Sequence, residues 1–213
     1  MNKKTIYAIV FLVGGYILAQ AVADVGATKL IEVKGVVMPA GTIMFALTFT
    51  LRDLLHKRLG RDWARAAIIA AGVFNVIQAG YLAWMARVPS PVFFGLGEAW
   101  AAVFSVVPAI TAGSIIAELI SELIDTEVYH LVKKKAEKLP QWTRVLISNG
   151  ISAPIDSFIF AALAFTILPP IFGGQALPLA AAFGITSGQI IFKYIVTAVS
   201  MPTIYLVKDE SII

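Results

Sequence analysis

Ser121–Tyr129 reads SELIDTEVY and Ser152–Phe160 reads SAPIDSFIF, so the chain writes the pattern S-x-x-I-D-[ST]-x-[VI]-[YF] twice, both times inside long apolar stretches. An aspartate in such a place is expensive to bury, and a duplicated one needs a reason. The surroundings decide what kind of protein can hold it. Of the 213 residues, 59% are hydrophobic and 14% charged, with a mean hydropathy of +0.84. A soluble domain carries about 45–50% apolar and about 25% charged residues, so the composition argues for an integral membrane protein. No cysteine is present, which excludes disulfides and thiolate metal sites.

The apolar runs working outward from the two motifs are Ile6–Ala23, Val36–Leu51, Ala66–Met85, Trp100–Ala117, Val145–Leu168 and Ala176–Val207. A spanning helix needs about 20 mostly apolar residues. The second run is short, and Pro39 and Gly41 crowd its start, so it enters the membrane with little tilt or as a broken segment. The expected helices cover about residues 6–28, 36–55, 64–86, 100–132, 143–168 and 176–207 of a single membrane domain, 1–213. The N-terminal run exceeds the apolar core of a typical signal peptide and is read as the first span.

Loop charges orient the bundle. Lys3 and Lys4 precede the first span; Arg52, Lys57, Arg58, Arg61 and Arg65 cluster between the second and third. Lys133, Lys134, Lys135, Lys138 and Arg144 lie between the fourth and fifth, and Lys208 follows the sixth, against only Lys29, Lys34 and Arg87 on the other side. The positive-inside rule then gives an all-α, six-span, multi-pass bundle with both termini cytoplasmic. These loops account for the isoelectric point of about 9.3, and no nucleic-acid partner is expected.

The two motifs sit on consecutive, oppositely directed helices. That is the expected mark of an inverted-topology repeat, the plan of many secondary transporters. Serines are common at helix contacts in lipid and need no further explanation, whereas the aspartates do. Glu118, Glu122 and Asp125 share one face of the fourth helix, and Asn149, Ser152 and Asp156 share one face of the fifth. For Glu122, Asp125 and Glu127 two readings compete, an intramembrane functional role and a helix that already reaches the cytoplasmic headgroups there, with Lys133 two turns on. Asp156 lies twelve residues beyond Arg144, about 18 Å along a helix and so near mid-bilayer. Charged residues at that depth face a cavity or a partner and are functional candidates by default. Gln20 and Asp24, Asn75 and Gln78, and Gln189 and Lys193 likewise share helix faces, and Lys193 is a candidate counter-ion for a buried carboxylate. Together these groups describe a polar, largely acidic cavity suited to a guest rich in hydrogen-bond donors. Pro108, Gly113 and Pro154 hint at discontinuous helices beside it.

The order and spacing of several motifs resemble the vitamin-uptake (VUT) family, in its branch of queuosine-precursor transporters of the YhhQ type. ADVGATKL at Ala23–Leu30 resembles the family's A-N-x-x-A-x-K stretch, with Ala27 and Lys29 in place. MPAGTIMFALTFTLRDLLHKRLG at Met38–Gly60 keeps Pro39, Gly41, Phe45, Leu47, Thr48, Asp53 and Gly60 of the family's signature. The S-x-x-I-D motifs, Phe192–Lys193 and Pro202 also fit, while Asp24, Ala46, Lys57, Glu122, Ala153 and Pro154 depart from the common residues.

The resemblance implies import of a 7-deazapurine: 7-cyano-7-deazaguanine, its aminomethyl derivative or queuine. One carboxylate can accept the adjacent N–H donors of a guanine edge, and a buried amide or lysine can meet its oxygen. On this reading Asp125 and Asp156 hold the purine at the interface of the fourth and fifth helices, with Glu122, Glu118, Ser121, Ser152, Asn149, Gln189 and Lys193 supporting. Asp24 and Lys29 line the first helix, and Asp53 anchors or gates the second. Tyr129, Phe158, Phe160 and Trp100 are the candidate stacking rings. No cofactor, metal or catalytic residue is expected. The expected partners are the lipid bilayer, a coupling proton and a homo-oligomer, in a prokaryotic inner membrane. The rival readings are an intramembrane enzyme, a scaffold, and a substrate-binding subunit that carries another vitamin-like or cationic molecule with an ATPase partner. The chain has no P-loop, no G-x-G-D context around either aspartate and no H-E-x-x-H motif.

Overall fold

The computed structural model describes residues 3–135, 141–200 and 202. Eight helices and one hairpin make up the described chain: α1 (Lys3–Gly26), β1 (Leu30–Val33), β2 (Val36–Pro39), α2 (Thr42–Leu59), α3 (Arg61–Arg87), α4 (Gly97–Phe104), α5 (Val107–Lys135), α6 (Gln141–Ala162), α7 (Pro169–Phe172) and α8 (Leu179–Ser200). Five segments are long and apolar enough to cross a membrane: Ile6–Gly26, Asp62–Arg87, Gly97–Ser121, Asn149–Ile167 and Leu179–Ser200. Large side chains such as Phe11, Ile69, Leu123 and Val199 point outward and stay exposed. The interior is built instead from small residues, including Ala64, Ala67 and Ala71 against Tyr16 and Leu55, and Ala161, Ala164 and Ala182 against Ile110 and Ile185. That is the packing expected where lipid removes the hydrophobic drive and close helix approach replaces it.

The hairpin corrects the all-α reading and the helix expected from residue 36. LIEV and VVMP are rich in β-branched residues, and Lys34 and Gly35, both with positive φ, make a two-residue turn between them. The strands pair antiparallel from Val33↔Val36 to Leu30↔Pro39. β2 does not lie on the surface. Met38 is fully buried, and β2 packs against α8 at Gly188. A Cβ at Gly188 would stand 2.0 Å from the carbonyl oxygen of Val37, and one at Gly41 would stand 2.0 Å from that of Ala23. Only glycine permits either approach. Gly188 lies nine residues into α8, about 14 Å along its axis, so β2 reaches the depth of the bundle with its Met38–Pro39 end buried while the Lys34–Gly35 tip stays exposed. Non-helical backbone is tolerated there because protein rather than lipid surrounds it.

Three further helices depart from continuous spans. The expected helix 100–132 breaks at Ser105–Val106 into α4 and α5, just before Pro108. Beyond α6 the chain widens into a π turn over Leu163–Ile167; Pro169 and Pro170 have no N–H to give the Phe165 carbonyl, which accepts the Leu177 amide at 2.7 Å instead. Within α6, Pro154 cannot donate to the Gly150 carbonyl; the Tyr194 hydroxyl donates to it at 2.9 Å instead. α2 is helical over eighteen residues but carries Arg52, Asp53, Lys57 and Arg58, and it is not among the five strongly apolar spans.

Candidate functional site

The polar residues of the bundle collect into a chain of three clusters. Asp24 of α1 is buried at 4% exposure. Its Oδ2 accepts Asn75 Nδ2 of α3 at 3.1 Å and Thr111 Oγ1 of α5 at 2.9 Å. One turn back on α1, Gln20 Nε2 donates to the Tyr16 hydroxyl at 3.1 Å and reaches Glu118 Oε1 at 3.3 Å; the Tyr16 hydroxyl donates to the same oxygen at 3.3 Å. Gln78 of α3 donates to the Ala21 carbonyl at 3.4 Å.

The third cluster holds an ion pair. Asp156 of α6 and Lys193 of α8 are 1% and 2% exposed and bonded through Asp156 Oδ2, while Ser121 Oγ donates to Asp156 Oδ1 at 3.2 Å. The ammonium also lies over the rings of Phe45 and Phe49 on α2, 4.9 Å and 5.8 Å from their centroids. Arg52 covers Phe49 at 5.2 Å. A charge pair this deep persists only with such compensation: a partner, a further hydrogen bond and cation–π contact. The serine of the first motif thus bonds the aspartate of the second.

Beside Asp24 lies a small cavity of ≈ 20 Å³, room for about one water. Ala23 and Asp24, Pro39 and Gly41, Thr42 and Phe45, Ser114, Phe160 and Gln189 bring α1, the hairpin, α2, α5, α6 and α8 to its walls. Two larger vestibules stand at opposite ends of the bundle. One, of ≈ 360 Å³, is lined by Phe49, Asn149, Gly150, Lys193, Tyr194 and Thr197, near the start of α6 and the end of α8. The other, of ≈ 410 Å³, is lined by Gly80, Ala83, Arg87, Pro108, Thr111 and Phe172, near the end of α3 and the start of α5. Thr111 and Lys193, each bonded to one of the buried aspartates, therefore each front one vestibule.

The residues singled out in the sequence separate in space. Asp24, Gln189, Asp156, Lys193, Ser121 and Ser152 are buried, and Glu118 and Asn149 are half-buried. Lys29 is exposed at the base of the hairpin, where its carbonyl accepts the Ala40 amide at 2.8 Å. The backbones of Asp53, Glu122, Asp125 and Tyr129 lie in α2 and α5, but their side chains are outside the described set. The small cavity beside Asp24 lies toward α1, the hairpin and α8, and neither Asp156 nor Ser121 of the repeated motifs lines it. The seam between α5 and α6 is tightly closed, with a Cβ at Gly113 meeting the Ala164 backbone at 3.0 Å. Of the candidate stacking rings, Phe160 borders the cavity, whereas Phe158 stacks on Phe183 and Trp100 on Phe104. Thr42, Phe45, Thr111, Ser114 and Tyr16 were not anticipated. A signal was present on α5, where Thr111, Ser114, Glu118, Ser121 and Asp125 recur at alternating spacings of three and four along one face.

Comparison with known proteins identifies the architecture. Residues 39–207 match the family described as "Putative vitamin uptake transporter". The chain is 24% identical over 193 residues to a Bacillus subtilis (strain 168) protein named "Probable queuosine precursor transporter", across 89% of this chain and 80% of that one. No solved structure matches it significantly. The family match spans most of the chain, starting at the buried end of the hairpin and running through both repeated motifs to α8. A multi-pass protein with Asp24, Asp156 and Lys193 buried among its helices, it belongs to the vitamin uptake transporter family and is a membrane transporter rather than an enzyme.

Proposed function

We propose that the protein imports queuosine precursors (7-cyano-7-deazaguanine, its aminomethyl derivative or queuine) across the prokaryotic inner membrane. The observation that carries the reading is the small cavity walled by Asp24, Ser114, Thr42 and Gln189 with Phe45 and Phe160 beside it. It offers hydrogen-bonding groups and aromatic rings to a flat, polar ligand inside the helix bundle. Its volume holds about one water, so a two-ring ligand enters only as helices move. The name of the Bacillus subtilis relative supports the same substrate class.

In this reading α2 is the sixth span, eighteen residues long and so about 27 Å, with its basic end toward the cytoplasm and both termini on that side. α5 and α6 carry corresponding halves of an inverted repeat, meeting where Ser121 bonds Asp156. The Lys193–Asp156 pair, seated on Phe45 and Phe49, separates the cavity from the vestibule at Asn149, the cytoplasmic exit. Ser121 supports that gate from α5, and the roles expected of Asp125, Glu122 and Asp53 fall on side chains outside the described set. The Asp24 carboxylate is the carrier of a coupling proton.

The test is uptake of radiolabelled 7-cyano- and 7-aminomethyl-7-deazaguanine. It is measured in cells unable to make either compound and in liposomes holding only the purified protein. Accumulation in both is expected. Absence of uptake by correctly inserted protein in cells would overturn the substrate, and uptake in cells but not in liposomes would point to an ATPase partner.

A further inference from the structure

Two side chains on the cavity wall are buried without a hydrogen-bond partner: Gln189 at Nε2, on a residue 2% exposed, and Thr42 at Oγ1, on a residue 4% exposed. A buried donor left unmet is costly, and native structures hold few of them. Here two face one void. Gln189 has a neighbour that needs a partner less: Lys193, one turn along α8, is fully engaged with Asp156. Thr42 is the first residue of α2, and the first amides of a helix have no partner within it and carry positive potential at that end. On the α1 wall stands Asp24, whose Oδ2 already takes two donors. A carboxylate has about four acceptor sites, so acceptor capacity remains.

We infer that Gln189 and Thr42 are specificity-determining residues that donate hydrogen bonds to a carbonyl oxygen of the ligand while Asp24 accepts its neighbouring N–H groups. The cavity therefore selects the lactam edge of an oxo-purine, a carbonyl beside a ring N–H and an amino group. An analogue with an amino group in place of the carbonyl presents a donor to Gln189 and Thr42 and a bare ring nitrogen to the Asp24 carboxylate. It leaves buried groups unmet on both walls, the situation in which a polar site rejects a near-isostere strongly. This rests on the transport reading above and adds to it which ligand edge is read, and by which side chains.

The experiment compares competition by 7-deazaguanine and by 7-deaza-2,6-diaminopurine against labelled 7-cyano-7-deazaguanine uptake. Wild type, Gln189→Glu and Gln189→Met are tested at equal membrane levels. Wild type should favour the oxo compound by about 10- to 100-fold. Gln189→Glu, which turns a donor into an acceptor, should shrink or reverse that preference, and Gln189→Met should reduce it by about tenfold. If either variant is too slow for uptake, the same ratio is read by ligand-induced thermal shift of the purified protein. A preference unchanged in both variants overturns the inference while leaving the transport reading standing. Failure of wild type to take up any deazaguanine removes the transport reading itself.

Discussion

Breaking the Asp156–Lys193 pair should destabilise the protein more than deleting it whole. The two side chains are 1% and 2% exposed, and no solvent screens them. Asp156→Asn leaves an ammonium among Ser121 and two phenyl rings, and Lys193→Met leaves a carboxylate with Ser121 as its remaining described donor. Removing one member of a buried pair costs about 3–5 kcal/mol because the other charge stays behind, whereas replacing both is close to neutral. The rings offset part of the loss in Asp156→Asn, since a desolvated cation–π contact contributes about 2 kcal/mol; Lys193→Met has no such relief and should be the worse variant. For a chain of this size each kcal/mol shifts the melting temperature by about 2–4 °C. The single variants should therefore melt about 6–20 °C below wild type in detergent, and the double variant Asp156→Asn/Lys193→Met within a few degrees of it. Additive losses in the double variant would refute the coupling. Uptake by the same set separates two roles. The stable double variant should remain inactive if the pair is a working gate, and regained uptake would make it a purely structural clamp.

Three further outcomes follow from the geometry. Gly188→Ala drives a Cβ into the Val37 carbonyl, and overpacking of this kind costs about 1–3 kcal/mol; a melting curve identical to wild type would mean that the hairpin does not pack on α8 as described. Asp24→Asn keeps the size of the side chain and part of its bonding to Asn75 and Thr111, so uptake should fall at least tenfold while the protein still inserts and elutes as a single species. Tyr194→Phe removes the hydroxyl that meets the Gly150 carbonyl, and thermal unfolding should register about 1 kcal/mol with substrate selectivity unchanged.

The broad plan of the fold was legible because lipid demands long apolar runs, and these are visible in any sequence. The hairpin was not. Val36–Pro39 is apolar and joins the following run without a gap, so hydropathy alone merged it with α2. The distinguishing signals were local and easily outweighed: β-branched residues on both sides of Lys34–Gly35, and a proline at residue 39 that closes the strand. Gly41 and Gly188 lie 147 positions apart, and the contacts that require them, with the carbonyls of Ala23 and Val37, exist only in three dimensions. The breaks at Ser105 and beyond Ala162 fall near Pro108 and just before Pro169–Pro170 respectively. Proline marks both breaks in the sequence, but it does not say that the second takes the form of a π turn.

The same contrast explains the site. Charge in an apolar stretch is conspicuous, so Asp24, Asp156, Gln189 and Lys193 could be singled out one by one. Which carboxylate meets which partner depends on helix rotation, and short motifs do not encode it. The repeated S-x-x-I-D motif drew attention to the seam between α5 and α6. That seam is closed by small residues, and its aspartate is already engaged by Lys193 and Ser121. Asp24 makes the opposite arrangement: neutral donors from Asn75 and Thr111 hold it without a described counter-ion, and the void lies beside it. A charge satisfied by a fixed cation is suited to sealing a passage, and one held only by neutral dipoles retains attraction for a donor-rich ligand. On the reading proposed above, the two aspartates divide the work, with the duplicated motif contributing the lock and the solitary residue of α1 the recognition. This division predicts separable phenotypes. Variants at Asp156 should lose turnover while purified protein still binds ligand, and Asp24→Asn should lose binding itself; equal loss of ligand binding in both would show that the two carboxylates form one site.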